Sequence, residues 1–409
     1  QLHPTEIELG LDRIGQVWRR MSTSLQGVRV VTVAGTNGKG STATLTAALL
    51  TAHGQRVGLY TSPHFLHFNE RMVIAGQPVA EADIVAALQR VDMARLGNAQ
   101  ASTVSLTYFE FTTLAALDLF GRAGLNAVVL EVGLGGRLDA VNLIDTDCAV
   151  VTSIGLDHTD WLGDDLNVIA REKSAIARSG KPLLVGADVC HDTLLEVAQN
   201  VGAVLHFMDA PQRDVTQSLW TFKGVESGQT LNDLSHPNLP LPSAQLALQV
   251  LDSLGFVLDR RAVDEVFTQT SMPGRLQRVM HRGNACVLDV AHNPQAAAFV
   301  AQQLAGAGES YHIILGMLRD KDALGVVQSL ALLQPQWHLV SLTATPRGLT
   351  AAELAARSGL VAAQQYDSVA AALAAVTTQT SRPVLICGSF FTVAEALTQM
   401  QLDTHGYSD

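Results

Sequence analysis

At 409 residues the chain exceeds what one ordinary hydrophobic core supports, so two or three domains are expected. With 47% hydrophobic and 16% charged residues and a mean hydropathy of +0.20, it is neither disordered nor collagen-like. A net charge of −11 and a pI near 5.6 argue against nucleic-acid or anionic-membrane partners, so any phosphate must be held locally. No apolar stretch approaches the roughly 18 residues that span a bilayer, and residues 1–6 lack the basic and apolar regions of a signal peptide. The missing Met leaves open that the start was trimmed. Cys148, Cys190, Cys286 and Cys387 lie far apart without metal or framework spacing, which predicts neither zinc nor disulfides and favours a reducing cytoplasm.

Short β-branched runs alternate with longer helical patterns, which predicts βα units around a mainly parallel sheet. Residues 28–34 read as the first strand, 35–40 break it, and 41–53 read as a helix with Leu45, Leu49 and Ala52 on one face. Further buried strands are expected at 57–60, 127–132, 149–154 and 182–185, with a crossover helix at 109–122. The pattern weakens over 200–242, where a small antiparallel excursion or an irregular segment is expected before a helix at 244–255. Ser271-Met272-Pro273-Gly274 reads as a break between domains. Alternation then restarts, with strands at 285–290, 312–315, 338–342 and 383–387 and helices at 294–304, 322–333, 350–358 and 368–377. The expected division is a first domain over 1–270, a linker over 271–284 and a smaller second α/β domain over 285–409.

A strand, then Gly35-Thr36-Asn37-Gly38-Lys39-Gly40-Ser41, then a helix, is the arrangement in which backbone N–H groups and a helix N-terminus cradle an oligophosphate. Lys39 would reach the β- and γ-phosphates as a point charge, and the Ser41 or Thr42 hydroxyl would meet phosphate or metal. The GxxxxGK[ST] pattern is incomplete, because Val33 stands at its first Gly and Gly40 follows Lys39. A Gly-rich turn with a solvated lysine is the alternative, which the flanking strand and helix disfavour. Only five of the 27 basic residues are lysines, and two of these, Lys39 and Lys173, fall within motifs.

Glu131 ends an apolar strand, where a carboxylate either faces a phosphate-bound Mg²⁺ or caps the surface. The Gly133-Leu134-Gly135-Gly136 that follows lets another segment or a substrate approach the backbone. His158 also follows a buried strand, and by itself is more readily structural than a ligand. Lys173 beside Glu172 does not make an intrahelical pair, because adjacent helical residues do not face one another. A protonated lysine would repel a metal, whereas a carbamate formed from the free amine and CO₂ would offer it anionic oxygen. Asp289 at a strand end reads as an N-cap for the helix from Pro294 onward.

The loop resembles that of the ATP-dependent Mur ligase superfamily, and its Gly-Lys-Gly-Ser form resembles the folate branch. Thr61-Ser62-Pro63-His64, Leu106-Thr107-Tyr108-Phe109-Glu110, residues 130–139, Leu156-Asp157-His158-Thr159-Asp160, Arg171-Glu172-Lys173, Pro273-Gly274-Arg275, residues 289–294 and Gly388-Ser389 follow in the order found in the dihydrofolate synthase/folylpolyglutamate synthase family. The resemblance runs over nearly the whole chain. It implies a P-loop-type, mainly parallel N-terminal ATPase domain and a smaller Rossmann-like α/β C-terminal domain.

That resemblance further implies one or two Mg²⁺ ions held by Ser62, Glu131, His158 and a carboxylated Lys173. ATP would lie on Thr36, Asn37, Gly38, Lys39, Gly40 and Ser41, with Arg275 at phosphate and Asp289, His292 and Asn293 closing over the nucleotide. Relatives carry Asn where this chain has Ser243, which is shorter and lacks the amide. A pterin pocket is implied at Thr107, Tyr108, Phe109 and Glu110 with Leu138, Asp139 and Ala140, joined by Glu8, Leu9, Gly10 and Leu11. Phe109 offers stacking area and Asp139 acceptors for a pterin edge, although by composition alone Tyr108 and Phe109 read more readily as core at a helix start. Val141 replaces a Thr that relatives often carry. The implied activity is ATP-dependent joining of L-glutamate to dihydropteroate and to reduced folates through an acyl phosphate, by a monomer with Lys39, His158 and Lys173 as catalytic groups. Another Mur-type amide ligase and a nucleotide-dependent regulatory ATPase are the alternatives.

Overall fold

Arg-Val-Val-Thr-Val-Ala forms β1 (Arg29–Ala34) because its β-branched run is buried on both faces beyond the exposed Arg29. The structure, a computed structural model, describes residues 8–97, 102–186, 189–209, 213–214, 219–305, 310–345, 347–377 and 382–405. It divides into two units, Gln1–Thr270 and Ser271–Asp409.

In the first unit β1 is joined by β2 (Val57–Tyr60), β3 (Met72–Ile74), β4 (Gln77–Pro78), β5 (Ala127–Glu131), β6 (Cys148–Val151), β7 (Pro182–Val185) and β8 (Val204–Phe207). The sheet order is β4-β3-β2-β5-β1-β6-β7-β8. Neighbours pair in parallel except β2–β3 and β3–β4, which make an antiparallel margin. Register sets Val33 opposite Glu131 and Ala34 opposite Val151, so the chain leaves β1, β5 and β6 at one carboxyl edge. In open parallel sheets that edge is where ligands bind.

The helices are α1 (Asp12–Arg20), α2 (Lys39–Ala52), α3 (Glu81–Leu96), α4 (Tyr108–Arg122), α5 (Thr159–Leu162), α6 (Leu166–Ser174), α7 (His191–Val201), α8 (Leu241–Ser253) and α9 (Arg260–Gln269). Among them α2 packs with α8 and α9, α1 with α3 and α4, and α6 with α5 and α7. A capping box starts α4: the Thr107 hydroxyl accepts from Glu110 N at 3.2 Å while the Glu110 carboxylate accepts from Thr107 N at 2.7 Å. The expected antiparallel excursion is a small sheet of β9 (Arg213–Asp214), β10 (Leu219–Lys223) and β11 (Thr230–Ser235). Part of the segment 200–242 lies outside the described residues. The strand expected to reach residue 154 stops at Val151, because the Thr152 and Ser153 side chains turn to bind the loop after β1.

The second unit holds β12 (Gln277–His281), β13 (Asn284–Leu288), β14 (His312–Leu315), β15 (Gln336–Val340), β16 (Gln364–Tyr366) and β17 (Val384–Cys387) in the order β12-β13-β17-β14-β15-β16. Only β12–β13 is antiparallel. Its helices are α10 (Pro294–Leu304), α11 (Ala323–Leu330), α12 (Ala351–Ser358), α13 (Val369–Thr377) and α14 (Phe390–His405). Residues 277–281, expected within a linker, form β12, and this strand buries only His281, which left little pattern to read. The α10 cap is also corrected: Asn293 Oδ1 accepts from Ala296 N at 2.9 Å, while Asp289 serves the backbone elsewhere. Among the described residues no helix is long and apolar enough to cross a membrane. The four cysteines are free thiols.

One buried polar group makes this unit sensitive to acid. His312 Nδ1 lies 2.9 Å from His338 Nε2, His338 Nδ1 is 3.3 Å from the Tyr366 hydroxyl, and that hydroxyl donates to Gln364 at 2.7 Å. Burial and then His312 push His338 down to about 4, and burial and Arg382 lower His312. Both imidazoles are therefore neutral when folded. Because the unfolded chain binds these protons first, stability is complete above about pH 6.5 and falls as pH drops toward about 4. Thermal melts across that range should show the acid loss in the parent protein and less of it in His338→Gln.

Candidate active site

The loop after β1 is fixed by the segment after β6. Thr36 N donates to Ser153 O at 2.9 Å, Asn37 N to Ser153 Oγ at 2.8 Å, and Thr152 Oγ1 to Asn37 O at 2.6 Å. Thr36 Oγ1 donates to Gly155 O at 3.1 Å. Gly35 has φ +146°, and a Cβ there would stand 1.9 Å from Thr152 Oγ1, so no other residue fits. Gly38, with φ 85°, caps α2 without a side chain, which leaves the first-turn N–H groups facing outward. Ser243 lies beside this turn, its Oγ 3.4 Å from where a Gly38 Cβ would be.

Two lysines converge on one oxygen of this loop. Lys39 Nζ donates to Gly35 O at 3.0 Å and to Thr36 O at 3.2 Å, and Lys173 Nζ, on α6, donates to Gly35 O at 3.0 Å. Lys173 is 5% exposed. Burial first, and the charge of Lys39 second, push its ammonium down to about 7, against the opposing pull of Asp157, Asp139 and Glu172. Its helix is held by the glycine run after β5. A Cβ on Gly136 would meet Glu172 O at 2.6 Å and Lys173 O at 2.9 Å, and Arg137 Nε donates to Glu172 Oε1 at 2.7 Å. Glu172 thus pairs with Arg137, in keeping with its failure to face Lys173.

Glu131, 4% exposed at the end of β5, accepts from Ser62 N at 2.9 Å. The structure therefore joins Glu131 and Ser62, through the Ser62 backbone. His158, exposed and left-handed at φ 52°, caps α5 and lines one recess with Gly35, Thr36, Lys39, Asp157 and Lys173. Asp157 went unassigned in the sequence although it adjoins His158, since an acid in a loop carries no spacing signal. Among the described residues no three His, Cys, Asp or Glu side chains gather to hold a metal by themselves. The donors nonetheless suit a cation that arrives with phosphate. Mg²⁺ takes one or two carboxylates plus phosphate oxygens and keeps water. The Ser41 and Thr42 hydroxyls, in the first turn of α2, are buried with no hydrogen-bond partner, an orphaned pair that phosphate and its cation would satisfy.

The segments expected to bind the organic acid meet near the same edge. Phe109 packs under Gly133, where a Cβ would lie 2.6 Å from its ring, and sits 6.1 Å from the Tyr60 ring. Tyr108 is exposed, with the Arg71 guanidinium 5.7 Å from its ring. Leu138 is half-buried and Ala140 buried. Asp139 is 3% exposed, and its Oδ2 accepts from Gly133 N at 3.1 Å and Leu134 N at 2.9 Å while Oδ1 accepts from Val141 N at 3.0 Å. Burial raises its carboxyl to about 6 despite those bonds. A carboxylate has about four acceptor sites, so backbone contacts leave little for a ligand. Glu110 is likewise committed, to its capping box and to Arg13. Leu9, Gly10 and Leu11 are partly buried and Glu8 is exposed.

In the second unit Asp289 accepts from Leu276 N and Ala291 N, both at 2.8 Å, and its carboxyl is raised by burial while Arg275 pulls it back. The Arg275 guanidinium lies 5.1 Å from the Phe390 ring, and the His292 ring lies 6.4 Å from it. Phe390 was missed in the sequence because an aromatic at a helix start reads as core.

Models of two Mur ligase domains match this chain, the middle domain over residues 33–218 and the glutamate ligase domain over residues 274–390. Fold and site thus define an ATP-dependent ligase of the Mur type. Dihydrofolate synthase/folylpolyglutamate synthase of Escherichia coli is 40% identical over 401 residues, covering 97% of this chain and 92% of its own. Among solved structures, E. coli FolC in complex with DHPP and ADP aligns with a TM-score of 0.89 at 38% identity, over 99% of this chain and 96% of that one. A bifunctional folylpolyglutamate synthase/dihydrofolate synthase with Mn, AMPPNP and L-glutamate bound gives 0.86 at 40%, over 97% and 95%. The chain belongs to the dihydrofolate synthase/folylpolyglutamate synthase family.

Proposed function

We propose that this chain joins L-glutamate to dihydropteroate, giving dihydrofolate, and adds further glutamates to reduced folates, with ATP converted to ADP and phosphate. The observation that carries this reading is the phosphate loop whose Gly35 carbonyl receives both Lys39 and Lys173 beside two orphaned hydroxyls. Relatives that hold ADP, AMPPNP, Mn, DHPP and L-glutamate support it.

The substrate carboxylate attacks the γ-phosphorus, the bond to the β-phosphate oxygen breaks, and ADP leaves. The glutamate amine then attacks the acyl phosphate carbonyl, and phosphate departs. One or two Mg²⁺ ions, held by Glu131, His158, Ser62 and a carboxylated Lys173, would neutralise charge on the phosphate oxygens. Residues 36–41 hold the phosphates, and Lys39 exchanges its carbonyl partners for phosphate oxygens as charge shifts toward ADP. Ser243, Arg275, Asp289 and His292 receive the nucleotide. Glu8, Leu9, Gly10, Leu11, Thr107, Tyr108, Phe109, Glu110, Leu138, Asp139 and Ala140 frame the pterin, with Phe109 as its apolar wall and Asp139 and Glu110 shaping the pocket through the backbone. No protein nucleophile is needed, because positioning and charge stabilisation account for the step. The reading carries with it a monomer acting in a reducing cytoplasm.

Product mass decides the matter. Dihydropteroate, ATP and glutamate should give a product heavier by one glutamyl residue, and tetrahydrofolate in its place should give the same increment. ADP release that needs neither acceptor nor glutamate would instead mark a regulatory ATPase.

A further inference from the structure

Arg13, in the first turn of α1, belongs to none of the motifs above, yet it joins two separate parts of the chain. Its Nη2 donates to Glu8 O at 3.0 Å and to Glu110 Oε1 at 3.0 Å, and its Nη1 pairs with the Glu8 carboxylate. The far oxygen of Glu110 accepts from Thr107 N at 2.7 Å, so one guanidinium fastens the segment before α1 to the capping box that opens α4. Glu110 is 3% exposed. A carboxylate that buried is stable only when paired, and Arg13 is its ion-pair partner. A planar fork serves several acceptors at once, which a lysine ammonium on a flexible stem does not reproduce.

We propose that Arg13 is a positioning residue for the acceptor substrate: it sets the spacing between residues 8–11 and 107–110, the two flanks of the pterin pocket. The inference rests on that pocket assignment. Arg13 acts through Glu8 and Glu110, and the pocket width it holds determines how well the pterin acid is seated for attack on ATP.

The test is steady-state kinetics of the full chain, with dihydropteroate and ATP varied separately in Arg13→Gln and Arg13→Lys. Arg13→Gln should raise the KM for dihydropteroate about tenfold while the KM for ATP and kcat at saturating acceptor stay within about twofold. Arg13→Lys should fall between, since it keeps the charge and loses the fork. An unchanged dihydropteroate KM, or an equal loss in every parameter, would overturn the proposal. If Arg13→Gln does not fold, Arg13→Lys decides instead, because it keeps the charge beside Glu110 and loses the fork that also reaches Glu8; it must show the same selective rise in KM. Phe109→Ala separates the two levels of the argument. A normal dihydropteroate KM in Phe109→Ala removes the pocket assignment itself, whereas a raised KM there beside a normal one in Arg13→Gln removes only the role of Arg13.

Discussion

Lys39→Ala should lower the ligation rate at least about a thousandfold while the protein stays folded. The side chain donates to two carbonyls of its own loop, and it lies outside the strands and the apolar core cluster of this unit. Its charge is what the transferring phosphoryl group would lose. The substitution also removes the like charge that helps depress Lys173, so the Lys173 ammonium should titrate higher in the variant. Turnover assays beside a thermal melt measure both sides of this expectation. A folded Lys39→Ala that turns over near the parent rate would sink the assignment of residues 35–41 as the phosphate loop.

Lys173→Ala should be nearly inactive, and a short carboxylic acid added to the assay should restore part of the rate. With its ammonium lowered to about 7, roughly half of Lys173 is free amine at pH 7, against about one part in three thousand for an ordinary lysine. Only the amine takes up CO₂. Uptake of CO₂ by the amine releases one more proton, so the carbamate fraction should fall steeply below about pH 7, and added bicarbonate should recover activity most at the acid end. Rescue by amines, with no response to acids or bicarbonate, would mean that Lys173 serves as a cation toward phosphate. A crystal structure at neutral pH with metal and ATP analogue in place and an unmodified Lys173 would end the carbamate assignment and leave the ligase intact.

What could be read from the residues was whatever rests on local pattern. The strand and loop at 28–40 announced themselves through a β-branched run broken by glycine, and α10 through Pro294 at its first turn. Gly133 to Gly136 signalled close approach, and the structure supplies the approaching parts, Phe109 and the carbonyls of α6. Contacts distant in sequence left no such trace. Arg13 and Glu110 are 97 residues apart, and nothing local marks either as the other's partner. Asp289 read as the cap for α10, and only the backbone path, which brings Asn293 Oδ1 to Ala296 N, gives that role to Asn293. The orphaned state of Ser41 and Thr42 depends on the tertiary burial of α2, information that no seven-residue motif contains.

The short outer strand β4 bears on how the protein behaves when crowded. A parallel sheet that ended on β2 would offer another chain a row of unpaired N–H and C=O groups. Here the antiparallel turn through β3 ends instead on Gln77 and Pro78, both exposed, and proline has no N–H to give. That side of the sheet is closed to edge-to-edge growth by two residues. Replacing Pro78 with a β-branched residue and lengthening β4 should raise light scattering on concentration while glutamate ligation stays at the parent rate, since the phosphate loop lies four strands away.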